Sequence, residues 1–249
     1  MPVITKSIKR IYIFMYRFIK NIIKRVLLKT SWRLKKIHKN KGYVHQRPNI
    51  ENIVSLYNAK GIIHMGAHRG GEAAVYDWFQ KKTVWIEANP QLITELQDHV
   101  NQFPYQKVIH ALLSDKDGEQ IDFKISNNDS ASSSIFEFGE ESIKRDLKMI
   151  SKITLKSQTL DKIVERESLE ISNYDFWIMD LQGSELLTLK GAQKALKSCK
   201  SILVEISKSD YYVNGASWDN LKEFLNSNNF YEKWEPKESH TDVLFVKQI

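Results

Sequence analysis

The residues best suited to chemistry in this 249-residue chain sit where short apolar runs stop. Ile62-Ile63-His64-Met65 runs into Gly66-Ala67-His68-Arg69-Gly70-Gly71, and Glu72 opens an acidic, helix-forming segment to Gln80. Strand, glycine-dense turn and helix start together form a site for a nucleotide-like ligand, because glycines allow close backbone approach and free N–H groups face anions. A second apolar run, Val84-Trp85-Ile86, ends in Glu87, 21 positions after Gly66. A carboxylate there is placed to take ribose hydroxyls in a βαβ unit. The turn lacks the G-x-G-x-x-G spacing of a dinucleotide site, so it indicates a cofactor without identifying it.

Other strand ends carry polar groups too. Lys107–Leu113 leads into Ser114 and Asp115, Phe176–Met179 delivers Asp180, and Ser201–Ile206 ends beside Glu205 and Ser207. Asp180 and Glu185 are carboxylate candidates for a base, and His68 an imidazole candidate. Each has a plainer reading. Asp180 could bond a cofactor amino group, Glu185 could stabilise the first turn of its helix, and His68 could cap its own turn. The i, i+4 spacing of His64 and His68 hints at a metal pair, but they flank a glycine turn rather than share a helix face, so no metal is expected.

The elements that must position these groups alternate. Strands are predicted at Ile62–Met65, Thr83–Glu87, Lys107–Leu113, Gln120–Ile125, Phe176–Met179 and Ser201–Ile206. Helices are predicted at 50–59, 72–80, 89–100, 159–166, 183–196 and 218–226, with a terminal antiparallel hairpin from Phe230–Trp234 and Val243–Val246. Alternation of this kind implies an α/β fold, with ligands gathered at the carboxyl ends of a mostly parallel sheet. Ser126–Ser134 is a polar loop. The acceptor lid is expected from residues 126–150 and 207–218.

Charge divides the chain. Its net charge is +7, yet residues 1–50 hold fourteen Lys or Arg and no acid, so the remainder carries 7 − 14 = −7. A mildly acidic main domain offers no electrostatic track for phosphates, and no nucleic acid is expected as a partner. One cysteine, Cys199, excludes an intrachain disulfide and favours a reducing compartment.

Two domains are expected: residues 1–48, a basic amphipathic helix and linker, and residues 49–249. Lys6, Lys9, Arg10, Arg17, Lys20 and Lys24 share one helical face, with Ile8, Ile11, Met15, Phe18, Ile19, Ile22 and Val26 on the other. Its longest uncharged run, Ile11–Tyr16, is too short to span a bilayer. Residues 6–28 therefore read as lying on an anionic membrane surface, with docking on a partner subunit in a homo-oligomer as the competing reading. The expected location is cytoplasmic, peripheral at the inner face of a membrane.

The ordered set GAHRGG, WIEANP, ALLSDKDG, SASSSIFEFG, TLD, DFWIMDLQGSELLTLKGA and ILVEIS resembles the FkbM-type S-adenosylmethionine-dependent methyltransferase family from Ile62 to the C-terminus. The resemblance implies a class I methyltransferase (Rossmann-like) seven-stranded sheet and S-adenosyl-L-methionine as cofactor. It further implies O-methyl transfer to a hydroxyl of a sugar or secondary metabolite. Gly66 with Ala67, His68 and Gly70 would approach the methionine part, with His64 at the turn's start. Glu87 and Ala88 would hold the ribose, Ser114 and Asp115 would lie by the adenine, and Asp180 would face methyl group and acceptor. Many members are acidic where this chain has His64. A sugar in a glycan or glycolipid at a membrane is the leading acceptor. A soluble metabolite is the alternative, and a non-catalytic binding module is disfavoured by the presence of both Glu87 and Asp180.

Overall fold

The computed structural model describes residues 50–208 and 210–248. The basic helix and linker expected at residues 1–48 lie outside the described residues. Helix α1 spans Ile50–Asn58, strand β1 Gly61–Met65, α2 Ala73–Trp78, β2 Lys82–Glu87, α3 Ile93–Val100 and β3 Gln106–His110. Then come β4 (Leu112–Leu113), β5 (Gln120–Ser126), α4 (Glu140–Lys144), β6 (Met149–Gln158), α5 (Leu160–Arg166) and β7 (Phe176–Met179). The chain continues with α6 (Glu185–Lys190), β8 (Ser201–Ser207), α7 (Trp218–Ser227), β9 (Phe230–Glu232) and β10 (His240–Lys247).

Seven strands form the main sheet in the order β3-β2-β1-β7-β8-β10-β9. Only β10 runs opposite to the other six strands, so this is the class I methyltransferase architecture expected from the sequence. The inner strands read as unbroken apolar runs because helices cover both faces and every position of β1 is buried. Ile63 and Met65 join one layer of core with Trp177 and Val204, while Ile62 joins the other with Trp85 and Leu96. Helix starts are set locally: the Thr159 hydroxyl accepts from Lys162 N–H at 3.1 Å before α5, and Ser217 accepts from Asn220 N–H at 3.3 Å before α7.

The third apolar run does not stay one strand. It breaks at Ala111, and Leu112–Leu113 leaves the main sheet to pair with Ser157–Gln158 in a second, three-stranded sheet, β4-β6-β5. The ten-residue β6 is an unforeseen element and pairs antiparallel with β5. The helix expected over 183–196 is shorter, ending at Lys190 before a separate 3-10 turn at Ala195–Ser198. No helix among the described residues is long and apolar enough to cross a membrane.

Candidate functional site

Two cavities open at the carboxyl ends of the parallel strands, and the turn after β7 divides them. Asp180, Leu181, Gln182 and Ser184 face a cavity of about 210 Å³, whereas Gly183 and Glu185 face one of about 670 Å³. The turn is tightly bent, with Gln182 at φ 53° and Gly183 at φ 102°. Glu185 braces it: one carboxylate oxygen accepts from the N–H groups of Leu181 at 2.9 Å and Gly183 at 3.2 Å.

The smaller cavity combines Gly66, His68, Glu87, Ala88 and Asp180 with an apolar wall of Ile86, Leu112, Leu113 and Phe123. Glu87 is buried, and its two oxygens accept from His68 N–H and Asn89 N–H, each at 2.7 Å. Burial pushes its carboxyl above the usual value, against the pull of these two N–H bonds. Each carboxylate oxygen retains a further acceptor site, which suits a vicinal diol. Gly66 and Ala67 both donate N–H to the Ile86 carbonyl, at 2.9 and 3.1 Å, locking the glycine turn to β2. A buried carboxylate with acceptor sites to spare, a bare glycine turn and an apolar wall fit the ribose, the amino-acid end and the adenine of S-adenosylmethionine.

Several expected residues lie elsewhere. Ala67 and Gly70 support the turn from behind; a Cβ on Gly70 would come within 2.8 Å of Leu96 on α3. Ser114 is buried and donates to Asp115 at 3.2 Å, next to the Leu112–Leu113 wall but not on it. His68 lines the cavity, yet its Nε2 lies 2.9 Å from the Asp129 carbonyl, tying it to the polar loop. Arg69 secures the same loop through Asp129 and reaches Glu95 on α3.

His64 needs the largest correction. It does not line the cavity: strand alternation places it on the Ile62 face, in a buried stack with Trp85 (centroids 4.8 Å) and a 3.0 Å bond to the Tyr76 hydroxyl. Burial lowers its pKa to about 4, slightly offset by the charge of Glu72. It is a neutral structural imidazole. As pH falls through 6.5 the unfolded chain takes up this proton before the folded one does. Stability is therefore lost between pH 6.5 and about 4. His64→Gln is expected to remove roughly 3 kcal/mol of that acid sensitivity, measured as the change in unfolding free energy between pH 7 and pH 4 in wild type and variant. Parallel pH curves for the two proteins would refute the neutral buried state.

The sequence reading missed the other half of the site. Glu205, noted only as a strand end, stands beside Asp180 because Met179 pairs with Val204. Gln182 Nε2 donates to Glu205 at 2.7 Å and also to Asp180, while the Tyr212 hydroxyl donates to the Gln182 carbonyl. His240 Nε2 lies 3.1 Å from Glu205, and its Nδ1 lies 2.9 Å from the Ser207 hydroxyl. Poor hydration and the neighbouring Glu205 push Asp180 well above its ordinary value, although its side chain opens onto the cleft. Burial drives Glu185 to about 7. Glu205 moves the opposite way: burial raises it, but the His240 hydrogen bond and charge outweigh burial and hold it low.

No curated protein matches the chain. Among solved structures, magnesium protoporphyrin IX methyltransferase from Synechocystis PCC 6803, with bound SAM, is similar over 80% of this chain and 78% of its own, at 8% identity and TM-score 0.43. A TehB-like SAM-dependent methyltransferase from Corynebacterium glutamicum ATCC 13032 covers 80% and 86%, at 10% identity and TM-score 0.42. An rRNA methylase from Streptococcus thermophilus covers 82% and 99%, at 11% identity and TM-score 0.42. The family model for the methyltransferase FkbM domain matches residues 64–232, which span both cavities and the turn between them. The chain belongs to the FkbM methyltransferase family and uses S-adenosylmethionine.

Proposed function

We propose that the protein is an O-methyltransferase acting on a sugar hydroxyl in a glycan or glycolipid, brought to an anionic, cytoplasm-facing membrane surface by residues 6–28. The observation that carries the acceptor class is the larger cavity. Lys208, Asp210, Asn214, Ser217 and Asp219 line it together with Tyr212 and Trp218. Carboxylate, amide, ammonium and hydroxyl groups satisfy the hydroxyls of a sugar, and aromatic side chains cover its less polar faces.

S-adenosylmethionine supplies an activated methyl group, so the protein's own task is alignment. Glu87 and Ala88 hold the ribose and Gly66 admits the amino-acid end. Asp180, kept toward its neutral form, positions cofactor and acceptor at the dividing turn. Glu185 acts by bracing that turn and His68 by fixing the polar loop over the cofactor. Orientation of this kind can contribute up to about 7–11 kcal/mol to lowering the barrier.

Tritium-labelled S-adenosylmethionine offered to cell glycan, lipid and RNA fractions tests the reading. Label is expected in glycan or glycolipid, in an ether that survives mild alkali. Label confined to RNA, or to an alkali-labile ester, would overturn it.

A further inference from the structure

The geometry points to Glu205, held in place by His240, as the residue that takes the proton from the acceptor hydroxyl. The inference rests on the O-methyl transfer proposed above and assigns it a base. Asp180 walls the cofactor cavity and Glu205 the larger one, and the two stand at adjacent strand ends. A methyl group passing from one cavity to the other must cross between them, so the attacking oxygen lies on the Glu205 side.

Asp210 and Asp219 also line the larger cavity but do not stand at the paired strand ends, and the carboxylates beside Glu205 are less suitable. Glu185 spends one oxygen on two backbone N–H groups, and Asp180 is held toward its neutral form. Asp242 on β10, opposite Glu205, is likewise raised by burial and by Glu205 itself. Glu205 alone among these four is hydrogen-bonded to a cationic partner; the charge of His240 also reaches Asp242, without a bond between them. His240 is raised by its hydrogen bond to Glu205, against burial, and is stacked on Tyr211 with centroids 4.4 Å apart. The remaining groups facing Glu205 are the Gln182 amide and the Tyr212 hydroxyl, which burial keeps protonated. Glu205 oxygens already accept from His240, Gln182 and the raised Asp180 carboxyl, and of their four acceptor sites one is left for an incoming hydroxyl.

In the step, the acceptor oxygen gains the methyl carbon while the donor's carbon–sulfur bond breaks with its electron pair left on sulfur. The hydroxyl proton passes to Glu205. Sulfonium, alcohol and carboxylate become thioether, methyl ether and carboxylic acid, so charge balances. His240 touches no reactant; it is a positioning residue that keeps Glu205 ionised.

The test uses the full chain. In ¹³C-histidine NMR, His240, assigned with His240→Gln, is expected to titrate above 6.5 in wild type and to fall toward 6.5 in Glu205→Gln. An unchanged titration would show that the pair does not form. With the labelled cell fraction and saturating cofactor, Glu205→Gln is expected to lower the transfer rate by about 10²–10⁴-fold, with cofactor affinity by calorimetry within about threefold of wild type. Full activity in that variant, or parallel loss of cofactor affinity, would overturn the assignment. His240→Gln, which leaves Glu205 chemically intact, is expected to move the acid limb of the rate profile to higher pH; a stationary limb would also overturn it. Wild-type protein that labels no hydroxyl-bearing fraction refutes the O-methyl reading itself, a result distinct from an active Glu205→Gln.

Discussion

Glu87→Ala is expected to weaken S-adenosylmethionine binding by roughly 10²–10⁴-fold, read by calorimetry. Two hydrogen bonds to a charged group contribute about 1.5–3 kcal/mol each, which sets that range. The same change leaves the His68 and Asn89 N–H groups without their 2.7 Å acceptor in a buried site. A loss of about 1–3 kcal/mol of stability per stranded group follows. Glu87→Gln separates the two effects, because the amide oxygen can still accept one bond while the amide nitrogen meets a donor. An intermediate affinity with milder destabilisation is expected there. Unchanged cofactor affinity in Glu87→Ala would remove the ribose assignment.

Gly66→Ala has the second large effect, and it is steric. A Cβ at Gly66 would sit 1.8 Å from the Asp180 carbonyl oxygen, at a φ of +86° that side chains rarely adopt. Neither obstacle is a flexible side-chain tip. Asp180 N–H donates to the Met65 carbonyl at 3.0 Å, while Gly66 N–H donates to Ile86, so the glycine is wedged between two strand ends. A left-handed non-glycine residue costs about 1–2 kcal/mol, and forced overpacking about 1–3 more. Chemical denaturation should show a loss of roughly 2–5 kcal/mol, and cofactor binding should fall with it because Gly66 and Asp180 both line the cofactor cavity. A variant with wild-type midpoint and wild-type affinity would mean the turn can open without consequence.

The sequence exposed the cofactor half more fully than the acceptor half, for physical reasons. Strand β7 at Phe176–Met179, the Thr159 cap and the terminal hairpin are local signals, and the carboxylates at strand ends follow from them. The Glu205–His240 pair is not local. It depends on the antiparallel register that sets His240 opposite Ser207, and register across a long polar loop is not written in either segment alone. His64 is not legible as a core residue because both faces of β1 are buried, and the Tyr76 and Trp85 side chains that enclose it are contributed by other elements. β6 escaped notice because its sequence, MISKITLKSQ, is rich in polar residues, and only Ile153 and Leu155 pack against the small cluster around Phe123 and Ile125.

The second sheet bears on how the chain assembles and how it can change. Pairing Ile62 with Phe176 closes a separation of 114 positions. Once Leu112 meets Ser157, a separation of 45 positions, the chain between them forms a side excursion whose length hardly enters that closure. Closure entropy grows only logarithmically, so even doubling a loop costs about 0.6 kcal/mol. The wing carrying the Ser130–Ser133 wall of the cofactor cavity can therefore lengthen, shorten or be exchanged with little thermodynamic penalty to the central strands. What covers the smaller cavity is free to diverge, while the strand ends beneath it stay tied to the core.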